Sequence, residues 1–433
     1  MTTNDRFERS LSAWLQEGDA FRVPDHLDEV LAVTRETRQR PAWSSLERWL
    51  PMDTTFRPRL VAVPSAGRLL AVAALILLLL AVVVFAVGSR QQRLPPPFGL
   101  ARNGGATASV DGDIYALDPT TLQRTPLITD ANYDFGGSFS RDGTRFAFLR
   151  AREQPNDVSD PALILAIANA DGTDIRELTA PLQGMDWSDW SPDGHAITFT
   201  SRAPDGGRLI NIVDLTTGRI TTYDVGVSAH FVTWRPPDGR QILFRGEGDE
   251  PGLYALDLGL GTSRRITTRP PNNEFDYQSM TVSQDGRTAS FSRWSNEDGV
   301  PSIHMLDIDT GAEWILPSPP DVGQRGGATF SPDGVTLAYV RIVREPGGAL
   351  AQVVVAPADG RDTGHALGPR VPSTPDGGEV PVSIIFSPDG KAIIARYGND
   401  AAGTVRWLPL DGSPDRVIDD GAFGFVDIQR LAP

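Results

Sequence analysis

Five histidines, His26, His195, His230, His304 and His365, are the side chains best suited to proton or metal chemistry near neutral pH. No two of them form an H-E-x-x-H pair or another helix-spaced metal set. His195, just past a turn glycine, reads as a solvated strand residue. Cysteine is absent, which removes thiolate ligands, thiol nucleophiles and any disulfide framework. Lys391 is the only lysine and lies in a turn, so a Walker-type phosphate loop is excluded. Hydrolase chemistry of the G-x-S-x-G kind has no candidate, because the nearest run, GGSFS at Gly136 to Ser140, lacks the final glycine. No catalytic, cofactor-binding or metal-binding residue is assigned. The expectation is a protein that is not an enzyme and carries no cofactor.

Carboxylates recur in a pattern: Asp142, Asp193, Asp238, Asp285, Asp333 and Asp389 each precede a glycine. Calcium would need several oxygen ligands within one short run. Asp411 to Gly421, DGSPDRVIDDG, comes nearest and lacks D-x-D-x-D-G spacing. The six aspartates read instead as turn formers. Trp187 and Trp190, in MDWSDWSPDG, could mark a binding surface or pack between repeats, and neither is assigned to a ligand.

The aspartates belong to a repeated phrase, FSPDG at Phe330 and Phe386 and WSPDG at Trp190. The glycines that close it are Gly143, Gly194, Gly239, Gly286, Gly334 and Gly390, at intervals of 51, 45, 47, 48 and 56 residues. In S-P-D-G the proline pre-sets the second turn position, aspartate tolerates the third, and glycine supplies positive φ. Arg141 and Gln284 replace the proline, and RPPDG at Arg235 to Gly239 displaces Trp234 by one residue. Positions three and five beyond each glycine, such as Phe146 and Phe148 or Ile197 and Phe199, share one strand face. A second hairpin follows each phrase, and one more, Asp113 to Thr129, precedes the first. Seven second hairpins against six phrases leave one inner strand missing. Ala422 to Ala432 can supply it by pairing with Gly105 to Val110, which closes a ring and removes exposed edges. The fold class is therefore all-β, a propeller of seven four-stranded blades, with six as the alternative.

FSPDGKAIIARY, WSPDGHAITFTS and FSPDGVTLAYVR resemble the repeats of TolB-like β-propellers, relatives of the WD-repeat propellers, over about residues 105–432. The resemblance implies an interaction platform, commonly outside the bacterial cytoplasm, whose face takes a protein, peptide or glycan ligand. Prolyl-oligopeptidase-like enzymes carry similar propellers beside a hydrolase domain, whereas this sequence stops at Pro433, just after the proposed closing strand. A propeller hydrolase or lyase with its site in the central channel is the enzymatic alternative.

The remaining sequence reads as an attachment. Leu69 to Val87 contains no polar residue, and 19 residues of helix span roughly 28 Å, close to a bilayer's hydrocarbon thickness. The division expected is a cytosolic helical segment at 1–67, a transmembrane helix at 68–89, a Pro-rich linker at 90–104 and the propeller at 105–433. Leu69–Val87 is the part that meets the lipid bilayer. Arginines flank the run on both sides, so the positive-inside rule is silent. The N-terminus is placed in the cytoplasm because the leading segment lacks an export signal. Helix plus span plus outer domain resembles a transmembrane anti-sigma factor, which implies a cytosolic sigma-factor partner on residues 1–66. The His/Cys zinc set of many such proteins is missing. Residues 1–99 hold 12 Arg and 10 acidic groups, leaving 28 of the 40 basic and 45 of the 55 acidic side chains beyond them. That acidic surface repels phosphate backbones and excludes nucleic acid as a partner.

Overall fold

The computed structural model describes residues 72–78, 94–118, 121, 123–154, 161–185, 188–268, 274–276, 280–295, 301–319, 322–373, 380–398, 403–422 and 427–432. The chain divides into two compact units, Met1–Arg90 and Gln91–Pro433. In the first, residues 72–78 are helical. The expected helices of 1–67, with the sigma-factor surface placed there, and the rest of the apolar run lie outside the described residues. Among the described residues no helix is long and apolar enough to cross a membrane. The resemblance to a transmembrane anti-sigma factor therefore finds no support in the structure.

The second unit consists of seven antiparallel sheets in sequence order, six of four strands and one of five. Blade 2 shows the plan. Its inner strand Tyr133–Phe139 pairs with Arg145–Ala151, then Ile164–Asn169, then Arg176–Glu177. Blades 3, 4, 6 and 7 repeat this order over 188–223, 228–265, 322–373 and 381–422. Blade 5 has two inner pieces, Glu274–Asp276 and Thr281–Val282, both on Thr288–Ser295. Blade 1 joins the two ends of the propeller. Its inner strand Ile428–Leu431 pairs with Arg102–Val110, with Ala106 opposite Ile428, and Asp113–Leu117 and Arg124–Ile128 follow. The count of seven and the closing strand both follow the sequence reading.

Burial explains why the sheets stack. Phe146 and Phe148 point toward blade 1 and form a cluster with Ile114 and Ile128. Ala147, between them in the strand, faces the other way and packs with Trp190, Ile197 and Phe199 of blade 3. A strand of period two can thus fill two interfaces at once. Seven such clusters occupy the seven gaps between blades, the last joining Ile394, Val405 and Ile418 of blade 7 to Ala106 and Ile428 of blade 1. All twelve residues at positions three and five past the repeat glycines are at most 1% exposed.

Candidate functional site

The repeat turns gather at one end of the ring, where the inner strands finish. In five of them a serine hydroxyl donates to the aspartate two residues on and accepts the backbone N–H five residues on. Ser387 does this with Asp389 at 2.6 Å and Ala392 at 3.0 Å. Ser140, Ser191, Ser283 and Ser331 form the same box. Each of these aspartates also accepts the backbone N–H two residues further on. At Asp142 burial acts to raise the carboxyl pKa, yet bonds from Ser140 and Thr144 hold it below the usual range. These carboxylates are consumed in building turns, as expected. The closing glycines carry the positive φ assigned to them, 66° to 74°.

Two blades lack the serine. Blade 4 has Arg235 there, and its Nε donates to the Gly286 carbonyl of blade 5 at 2.7 Å. Blade 1 has Gln429, whose amide donates to the Gly143 carbonyl of blade 2 at 2.8 Å. The repeat is thus broken where one blade's side chain reaches the next blade's turn.

Beside the closing strand a cavity of about 200 Å³ opens between blades 1, 2 and 3. Arg141, Arg430, Asp189, Asp427 and Trp190 line it. Asp427 and Asp189 hold equivalent places, each one residue before a buried apolar residue of the inner strand, Ile428 and Trp190. Each carboxylate accepts a backbone N–H of the following blade, Asp427 from Phe139 at 2.7 Å and Asp189 from Trp234 at 3.0 Å. Burial pushes the Asp427 carboxyl up to about 6, against bonds from Phe139 and Ile428 and attraction to Arg430 and Arg141. Burial and the neighbouring Arg141 hold Arg430 below its ordinary value.

Residues 94–101, part of the segment read as a spacer, lie on this mouth. The Arg430 guanidinium donates to the carbonyls of Pro96 at 3.0 Å and Gly99 at 2.8 Å. The Gly99 N–H donates to Gln284 of blade 5 at 2.6 Å. The Arg141 guanidinium sits 4.8 Å from the centre of the Phe98 ring. Ala101 N–H donates to the Pro388 carbonyl of blade 7 at 2.9 Å. Gly99 touches blades 1 and 5 together, so the segment runs across the channel opening. The arrangement offers guanidinium donors to carbonyl groups, an amide acceptor to an N–H, and a cationic plane to an aromatic ring.

The other residues weighed in the sequence fall elsewhere. His26 and Trp187 lie outside the described residues. His195 and His365 are exposed, the first as expected. His230 is buried at the opposite end of blade 4, between Arg208, Ser228 and Glu247. His304 is 7% exposed against Phe291, and burial with the nearby Arg293 lowers its pKa to about 4 despite Glu313. Trp190 is 2% exposed, and its indole donates to the Ser138 carbonyl of blade 2, so it packs between blades. Carboxylates of Asp411–Gly421 are paired with arginines, Asp415 with Arg406 of the same blade and Asp419 with Arg124 of blade 1. Among the described residues no group of three His, Asp or Glu could hold a metal ion. Asp427, Arg430 and Phe98 were not singled out in the sequence, and Gln284 was noted there only as a turn residue. The replacement of proline at Arg141 and Gln284 was the signal that could have found the mouth.

No protein-family model matches the chain, and no curated protein matches it. Solved structures do resemble it. An oligogalacturonate lyase from Vibrio parahaemolyticus is 12% identical, with a TM-score of 0.51 over 70% of this chain and 84% of that one. TolB from Acinetobacter baumannii is 20% identical, with a TM-score of 0.46 over 75% of this chain and 82% of that one. A prolyl endopeptidase is 14% identical, with a TM-score of 0.49 over 67% of this chain and 43% of that one. At such identities the likeness concerns the fold alone, which here is the closed seven-bladed propeller.

Proposed function

We propose that the protein is a membrane-anchored interaction module that binds a protein or peptide at the turn-side mouth of its propeller. Leu69–Val87 is the anchor in this reading, with the N-terminus in the cytoplasm and the propeller outside. The observation that carries the binding site is the cavity at the closing strand, where Arg141, Arg430, Asp189 and Asp427 converge beside the channel. A concave opening in which a few polar groups converge beside aromatic side chains is a favoured place for recognition. Catalysis is not part of the proposal.

A photo-crosslinking residue placed at Arg141 in the full chain should give discrete protein adducts in whole cells. The same residue at Leu260, an exposed position on an outer hairpin, should not. Equal labelling from both positions, or none from Arg141, would defeat the site. Protease added to intact cells should remove the propeller, and protection until lysis would overturn the orientation.

A further inference from the structure

Proline is replaced in two of the repeat turns, and both replacements point to the same segment. Where other turns have proline (Pro192, Pro332, Pro388), blade 2 has Arg141 and blade 5 has Gln284. Those two side chains contact Phe98 and Gly99. The third contact, Arg430, lies within the closing strand, between Gln429 and Leu431, and takes two carbonyls of the segment. Three blades thus present long polar side chains to one short stretch of backbone that bends at 97–99.

We propose that the mouth is a site for peptides of the Pro-Phe-Gly type that bend at the glycine, and that residues 94–100 are its built-in, displaceable occupant. The proposal rests on the reading of the mouth as the binding face and names the ligand class. Recognition is largely through main-chain groups: two carbonyls to Arg430 and one N–H to Gln284. A phenyl ring over Arg141 adds the side-chain preference, since a guanidinium is drawn to an aromatic face. Glycine after the aromatic residue suits the site because Gly99 holds φ at 88°, a conformation that other residues adopt only with strain.

The attachment is built to release. Leu94 and Leu100 are 52% and 48% exposed, Pro96 and Pro97 are exposed, and Phe98 is only half-buried. Pro95 is the buried residue of 94–100. A segment held by a few polar contacts, with little apolar burial, belongs to the low-stability end of a fold. Tethering keeps it competitive, because a short linker gives an effective concentration on the order of millimolar. A ligand in trans must therefore outcompete the tethered copy, or the tether must be drawn away. Arg141 Nε, buried without a hydrogen-bond partner, leaves a donor for a ligand that fits better than the resident segment.

The test uses the full chain in detergent micelles and a fluorescent heptapeptide of sequence LPPPFGL. The double variant Phe98→Ala/Gly99→Pro loosens the resident segment without touching a blade. It should bind the labelled peptide about tenfold more tightly than the unmodified chain. Adding Gln284→Ala and Arg141→Ala to that variant should weaken binding by about tenfold, and so should replacing the peptide's Phe by Ala. In the unmodified chain, saturating peptide should speed amide exchange of Gly99. Equal binding by the loosened and unmodified chains would overturn the proposal. So would binding indifferent to Gln284 and Arg141, or unchanged Gly99 protection at saturating peptide. Protein adducts from position 141 alongside no peptide binding would leave the mouth as the binding face and remove only this ligand class.

Discussion

At Gly286 a methyl group would collide with the Pro236 carbonyl, and at Gly143 with the Arg430 carbonyl. At Gly334 and Gly194, which do the same job in their own turns, it would meet nothing. All four share positive φ, so alanine is strained at each by about 1–2 kcal/mol. Only the first two add a backbone clash. Gly334→Ala should therefore lose about 1 kcal/mol in urea unfolding, and Gly286→Ala more than about 3 kcal/mol. Equal losses would mean that the approach of blade 4 to blade 5 is not enforced. Asp427 offers a second test. Its carboxyl titrates near 6 in the fold and near 3.9 in an unfolded chain, so the folded state holds the proton more tightly. The stability this contributes is complete below about pH 4 and is lost as pH rises through 6. The side chain borders the cavity, so the loss should be about 1–2 kcal/mol, short of the full linkage value. The difference between the wild type and Asp427→Asn, followed from pH 4 to pH 7, should fall in that direction.

At the scale of strands, His304 should show the opposite slope. It stands on Pro301–Asp307, stacked on Phe291 with its ring centre 5.4 Å away and its Nε2 3.1 Å from the Ser302 hydroxyl. With a folded pKa near 4 against about 6.5 unfolded, it favours the fold while neutral. That contribution is present above pH 6.5 and disappears as pH falls through 4. His304→Gln should flatten acid destabilisation of the propeller between pH 6.5 and 4, as read by urea midpoints. A histidine with that behaviour was invisible in the sequence, since SIHMLDIDTG gives its alternation but not what lies across from it. The strands themselves were legible. Each repeat states its own turn and its own buried positions locally, so Phe148, Tyr339 and Ala395 could be placed by counting from a glycine. Even the closing strand could be inferred, from the mismatch between seven hairpins and six phrases. The mouth could not, because its contacts join residues far apart in the chain. Phe139 is 288 positions from Asp427, Arg430 is 331 from Gly99, and Gly99 is 185 from Gln284. The same limit explains the Pro-rich segment. Composition predicts its stiffness but not the surface on which it rests.

For the whole molecule the question is how a ring of nearly equal blades stays shut. Six blades are continuous in sequence, and each inner strand is joined to its neighbour by a short turn. Blade 1 is assembled from both ends of the propeller, so its inner strand can leave without any covalent link to the rest of the blade. Its hold includes the register with Arg102–Val110, the bonds of Asp427 to Phe139 and of Gln429 to Gly143 in blade 2, and the burial of Ile428 among Ala106, Ile394, Val405 and Ile418. Ile428→Ala should cost about 2–4 kcal/mol, the range for a buried large-to-small change. Its effect should also be local in a way that an equal lesion elsewhere is not. Opening the seam frees one strand and exposes one edge, whereas Ile242→Ala in blade 4 weakens a sheet whose strands are all tethered. Native-state amide exchange should show Ile428→Ala speeding exchange across Arg102–Val110 while 241–257 stays protected. Ile242→Ala should lower protection around the ring in proportion to the global loss. A seam no weaker than the other six interfaces would give the two variants the same pattern, and the joint between the ends would then be fully cooperative with the ring it closes.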